Sequence, residues 1–291
     1  MTHPKAPHGS AILTLVAGMA CLSTQDIFSK QLMLIVAPAV VIWARYTLQL
    51  LLVGTTIWRK RSPTLWRTQQ WRWHALRGCT VVSGSVFGYA ALQRIPVAEF
   101  TAIYCLVPLC VTLVARFALK EKVSMLGWLC LAGGLTGALL VARPGGQVDA
   151  IGAGLALLGV GCYSGFQILT GYLARQDSPL TIQFLTSLFG FVVMTAVLPF
   201  FWPTAWTWSG LALLLFVALA GSYGQYFNVL AFSKAPASVL TPYLYTALIF
   251  STFGGWLVFH HLPDFWAMLG MLLIAVFGMV SVVFAPAQHR S

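Results

Sequence analysis

Residues 21–27 read C-L-S-T-Q-D-I, and residues 162–168, 141 positions later, read C-Y-S-G-F-Q-I. Pro38 returns as Pro179 at the same offset. Further along, G-S-V-F at Gly84 is answered by G-Q-Y-F at Gly224, and Ala91, Pro96 and Thr101 by Ala231, Pro236 and Thr241, now at an offset of 140. A nearly constant offset held through four pairs of apolar segments marks a duplicated unit. Each copy carries five apolar segments. Five crossings, an odd number, turn the second copy upside down, and inverted repeats put a site at their interface and allow two near-equal conformations.

The segments run over 10–30, 38–58, 74–93, 97–118, 123–142, 150–173, 179–202, 209–230, 236–259 and 264–285. Each is close to the 20 or so apolar residues that a bilayer core requires. The expected architecture is an all-α membrane protein of ten transmembrane helices, two inverted five-helix repeats (1–146 and 147–291) around a central cavity. Composition agrees: 59% of the 291 residues are hydrophobic, 8% are charged and the mean hydropathy is +0.83. A soluble domain carries about 25% charged residues, so this chain cannot solvate a normal surface. The runs are continuous rather than alternating, which excludes a β-barrel.

The net charge of +11 is distributed by membrane side. With the N-terminus inside, twelve Lys and Arg, Arg77 at the inner edge of the third segment among them, fall in cytoplasmic segments, and only Lys30, Arg94 and Arg143 on the opposite side. This satisfies the positive-inside rule with both termini cytoplasmic. The cluster at Arg59, Lys60 and Arg61, near Trp66, Trp71 and Trp73, reads as an anchor at the inner leaflet rather than a nucleic-acid patch. No cleavable signal is seen, since the first apolar stretch belongs to the repeat. Six cysteines lie inside the segments without a CxxC, so neither disulfide nor metal is implied.

Polar groups inside a membrane are costly and face a cavity or one another. Asp26, Arg45 and Glu99 sit at similar depth near the outer side, where their charges can neutralise one another as a gating or ion-pair group. Arg116 snorkels from the inner end of its helix. Gln25, Tyr163 and Gln167 are expected to bond the polar end of a solute. Tyr89, Tyr104, Tyr223 and Tyr243 would supply aromatic contact, with Asn228 beside them. Pro108 and Pro242 interrupt the fourth and ninth segments, and Gly84, Gly88, Gly254 and Gly255 permit close helix approach.

These residues resemble the drug/metabolite transporter superfamily, in particular its members built from two EamA-type repeats. L-S-T-Q-D-I-F-S-K from Leu22 is similar to the family's first-helix pattern W-G-S-N-F-x-x-x-K, with Leu22 and Gln25 replacing its tryptophan and asparagine. Arg45-Tyr46 resembles its Arg-Phe, A-L-Q-R-I-P-V-A-E-F-T-A from Ala91 its link between the third and fourth helices, and L-K-E-K-V-S from Leu119 its L-G-E-R-x-S. The second repeat has His260-His261 where that glutamate stood.

The resemblance implies a central cavity lined by helices 1–4 and 6–9, and export of small metabolites from a bacterial inner membrane. An aromatic-lined, sparsely charged interior is most similar to the family's aromatic amino-acid exporters, so the expected solute is an aromatic or other apolar amino acid. A broad drug or metabolite exporter is the alternative. A lipid enzyme using the HHxxD spacing from His260 to Asp264 as a metal site is a third reading, from a different class. No cofactor is implied, and no G-x-x-x-x-G-K-[ST] is present, so ATP does not drive transport from this chain. With its carboxylates placed beside Arg45, the chain is expected to run as a facilitator.

Overall fold

The computed structural model describes residues 9–60, 68–111, 125–141, 149–173, 176–203, 207–235, 240 and 243–283. Ten principal helices occupy them: α1 Gly9–Leu32, α2 Pro38–Lys60, α3 Trp71–Arg94, α4 Val97–Tyr104, α5 Met125–Val141, α6 Ala150–Leu173, α7 Pro179–Val197, α8 Trp208–Lys234, α9 Thr246–Phe259 and α10 Phe265–Val283. A short 3-10 turn, Leu198–Phe200, extends α7. Among the described residues all regular structure is helical.

Six of these helices are long and apolar enough to cross a membrane: α1, α2, α3, α6, α7 and α8. In the other four the apolar stretch is only 10–17 residues, and they fall fourth and fifth in each repeat. Two of the expected spans therefore need correction. The fourth is not one continuous helix. Cys105 and Leu106 form a turn after α4, with Cys105 N–H bonding back to Thr101 and Ala102 carbonyls, and helix resumes at 107–111 around Pro108. The ninth breaks at Tyr245, 140 residues on from Cys105, before α9 begins. Pro108 lacks the N–H that would continue the ladder back to Tyr104, so a break just before it is the expected local response. The Arg116 reading lies outside the described residues.

The strongest packing crosses between the two halves. α1 lies chiefly on α8, α3 on α6, α5 on α10 and α2 on α7, and α4 also meets α9. Exchanging the halves leaves this pattern unchanged, because the first helix of each meets the third of the other, and the second, fourth and fifth meet their own counterparts. Within α2 and α7, Trp43 bonds Thr195, Tyr46 lies over Gly190 and Gly54 faces Phe184, so the two run antiparallel. α5 and α10 are likewise antiparallel, with Gly133 near Phe277 and Gly137 against Gly270.

Glycine makes these approaches possible. A Cβ on Gly137 would stand 2.7 Å from the Gly270 carbonyl, inside any real contact. In a bilayer, helix association rests on such backbone proximity and on dispersion, because lipid tails are as apolar as leucine. The second-half helices also carry well-formed starts. Ser178 accepts from Thr181 N–H with Pro179 in the first turn, Thr207 accepts from Gly210 N–H, and Asp264 accepts from Ala267 N–H. Each satisfies an orphan donor at a helix N-terminus.

Candidate functional site

α1 delivers the neighbours Gln25 and Asp26 to the meeting point of α2 and α3. Gln25 is 3% exposed, and its Nε2 donates to Tyr89 Oη at 2.8 Å and more weakly to Asp26 Oδ1 at 3.4 Å. Its Oε1 has no hydrogen-bond partner and lies against Gly221 of α8, where a Cβ would collide with it. Gln25 is therefore built into the packing of α1, α3 and α8.

Arg45, on α2, donates from Nη2 to Ser85 Oγ at 2.7 Å and lies 4.8 Å from the Tyr46 ring centroid and 5.7 Å from that of Tyr89. Ser85 is the hub of this cluster. Its hydroxyl also donates to the Val81 carbonyl at 2.8 Å and lies 3.1 Å from Tyr46 Oη. A guanidinium over two ring faces gains cation–π attraction that grows as water is excluded. Asp26 lies within the field of Arg45, so these two members of the expected charge group are together.

The third is elsewhere. Glu99, 1% exposed, accepts from His261 Nε2 at 3.0 Å, and Lys30 rather than Arg45 is the cation in its field. The expected three-charge group thus divides into two. Asp26 and Arg45 sit in the central cluster, and Glu99 in a separate pair with the end of α9.

Aromatic rings extend the cluster from α4 to α6: Phe100 to Tyr104 at 4.5 Å, Tyr104 to Tyr163 at 6.4 Å and Tyr163 to Phe166 at 5.2 Å. The Tyr104 hydroxyl enters the space left by Gly88 and Gly159 and donates to the Gly84 carbonyl at 3.2 Å, so it ties helices while its ring stays in the file. Gln167, one turn beyond Tyr163, is exposed.

Tyr223 and Tyr243 are not brought in. Tyr223 is 49% exposed and sits two residues, about 200° around the helix, from Gly221, which faces Gln25. Tyr243 is 37% exposed, and its carbonyl accepts from Thr246 Oγ1. Asn228 packs its backbone amide against Gly18.

Sequence reasoning missed Tyr46 and Ser85. The spacing of Ser85 and Tyr89, one helical turn apart, is the signal that could have found the latter. It also counted Arg77 among the cytoplasmic-edge charges. Arg77 is buried in α3, donates to Thr170 at 2.8 Å and to Thr186, and covers the Phe166 ring at 4.2 Å. Beside it His74 Nε2 donates to Asp177 Oδ2 at 2.8 Å, the same oxygen that accepts from Thr68. The HHxxD segment has local roles. His260 takes a left-handed conformation (φ 53°) that closes α9, His261 turns to Glu99, and Asp264 caps α10. Among the described residues no three His, Cys, Asp or Glu side chains are grouped to hold a metal.

The fold and cluster are those of a helical membrane protein whose two halves pack across one another beside a sparsely charged group of aromatic rings. The chain belongs to the EamA-like transporter family, whose model matches residues 9–143 and again 150–284. It is 29% identical to a riboflavin transporter of Brucella anthropi, over 79% of this chain and 83% of that one. It is 24% identical to an S-adenosylmethionine uptake transporter of Rickettsia prowazekii, over 69% and 68%. A solved crystal structure shares the fold with a TM-score of 0.64 at 20% identity, covering 96% of this chain and 98% of the other. The family is one of transporters, not enzymes, so the chain is a multi-pass carrier of small metabolites.

Proposed function

We propose that this chain moves a small, planar, hydrogen-bonding metabolite across a bacterial inner membrane by alternating access, with riboflavin the first solute to test. The observation that carries the reading is the likeness to a named riboflavin transporter along 79% of the chain. The site geometry agrees with it. A guanidinium beside Tyr46 and Tyr89, continued by the rings of Tyr104, Tyr163 and Phe166, suits a flat heteroaromatic solute better than an aliphatic one. Tyr89, Tyr104, Tyr163 and Gln167 border the solute, and Gln25 holds Tyr89 in place.

Two repeats, 1–146 and 147–291, form the alternating halves. The antiparallel packing of α2 on α7 and of α5 on α10, each on its own counterpart, supports inversion of the second repeat. The termini lie in the cytoplasm by the positive-inside count. Aromatic amino acids remain the competing solute class. Counterflow in proteoliposomes loaded with riboflavin, S-adenosylmethionine or phenylalanine separates them. Saturable exchange of labelled riboflavin, not competed by phenylalanine, is expected. Exchange of phenylalanine with none of riboflavin overturns the reading.

A further inference from the structure

The short helix α4 has the build of a gate. It starts at Pro96, directly after a turn clamped by Lys30, whose Nζ donates to the Leu92 carbonyl at 2.9 Å and to the Ile95 carbonyl. It ends after eight residues at the Cys105–Leu106 turn. Between these fixed points its first turn is held across the repeat boundary by Glu99 and His261, partners 162 residues apart in sequence.

That pair is a latch rather than a filled salt-bridge network. Glu99 is 1% exposed, yet its Oε2 has no hydrogen-bond partner. Burying a carboxylate oxygen unsatisfied is costly, so the closed position holds free energy that opening releases. Space is available for the movement. A cleft of about 170 Å³ lies behind the helix start, bordered by Lys30, Val97, Ala98, Gly255 and His261. His261 itself is presented by the left-handed turn at His260, with its N–H bonded to the Gly255 carbonyl. Lys30 already lies within electrostatic reach of Glu99 and stands on the same cleft.

We infer that His261 and Glu99 form the latch of a gate made by Val97–Tyr104, which hinges at Cys105–Leu106 and, when open, passes the Glu99 carboxylate from His261 toward Lys30. The gate faces the end of α3 opposite His74 and Asp177. Because Phe100 and Tyr104 ride on it, opening also moves the first rings of the aromatic file.

The test does not depend on which solute is carried. Thr101 lies on α4 and is buried at 7% exposure. In detergent-purified protein carrying Thr101→Cys, maleimide labelling at position 101 is followed by mass spectrometry, with and without His261→Gln or Glu99→Gln. Cys79, exposed near the far end of α3, is read in the same spectra. Loss of a charge-assisted bond should speed labelling at 101 about tenfold and leave the Cys79 rate unchanged. A 101 rate unchanged by both substitutions overturns the latch. So does a parallel rise at 101 and Cys79, which would mean general loosening.

Discussion

Gln25 and Tyr89 are joined by a 2.8 Å hydrogen bond from amide to phenol, inside the packing of α1 on α3. Neither side chain has bulk water as a substitute partner, since both are buried. Tyr89→Phe leaves the Gln25 amide without this acceptor and should cost about 1–3 kcal/mol. A lowered melting temperature of the purified protein checks it, and an unchanged melt would deny the bond its structural role.

Gly221 exists to admit Gln25. Gly221→Ala places a methyl on Oε1 and should destabilise by about 1–3 kcal/mol through overpacking. Gln25→Ala removes the obstacle, so the double variant should be more stable than the sum of the single effects requires. Strict additivity in a thermal double-mutant cycle would contradict the contact.

Arg45 organises the central cluster through Ser85 and the two rings. Arg45→Ala leaves Asp26 without its neighbouring cation in a low-dielectric interior and should abolish most solute flux. Ser85→Ala, which removes the guanidinium's acceptor and the hydroxyl beside Tyr46 but leaves the charge of Arg45 in place, should reduce flux by about tenfold or less, the weight of one charge-assisted bond. Counterflow rates at matched protein density in the vesicles rank the two. A Ser85→Ala variant worse than Arg45→Ala would show that Ser85, rather than Arg45, carries the cluster's part in transport.

Asp26→Asn should shift the balance of the two conformations without eliminating transport, as expected of a facilitator. Flux with and without an imposed pH gradient decides it. Uphill accumulation driven by the gradient and lost in Asp26→Asn would make Asp26 a coupling carboxylate instead.

Asp149 caps α6 outside its membrane-spanning part. Desolvation pushes its carboxyl up, but the amide of Gly152, the Arg94 guanidinium and the amide of Ile151 outweigh this and hold it below its ordinary value. A depressed folded-state value means the cap contributes fully above the unfolded value and is lost as pH falls through the folded one. Wild type and Asp149→Ala should therefore differ in melting temperature at neutral pH, begin to converge as pH falls below about 3.8, the ordinary carboxylate value, and meet below the lower folded-state value. A difference that persists in strong acid would assign the effect to something other than ionisation.

The membrane character, the duplication and the helix order were legible in the chain because hydropathy and a constant offset are properties of one dimension. α6 spans Ala150–Leu173, as its apolar run predicts, and most other ends fall within a few residues of expectation. The candidate cluster was legible only in part. Asp26, Arg45, Tyr89, Tyr104 and Tyr163 stand out as polar or amphipathic groups in apolar runs, and they do converge. Hydropathy says nothing about how far a helix is rotated about its axis, so Tyr223, left half-exposed, reads in sequence like Tyr104, whose hydroxyl is threaded between two glycines. Pairing across the halves is equally invisible. Glu99 meets His261 rather than Arg45, and Arg77 is buried against Thr170 and Thr186 rather than at the surface. A buried charge takes whichever partner the packing of close-approaching helices delivers, and only the tertiary structure decides which one that is.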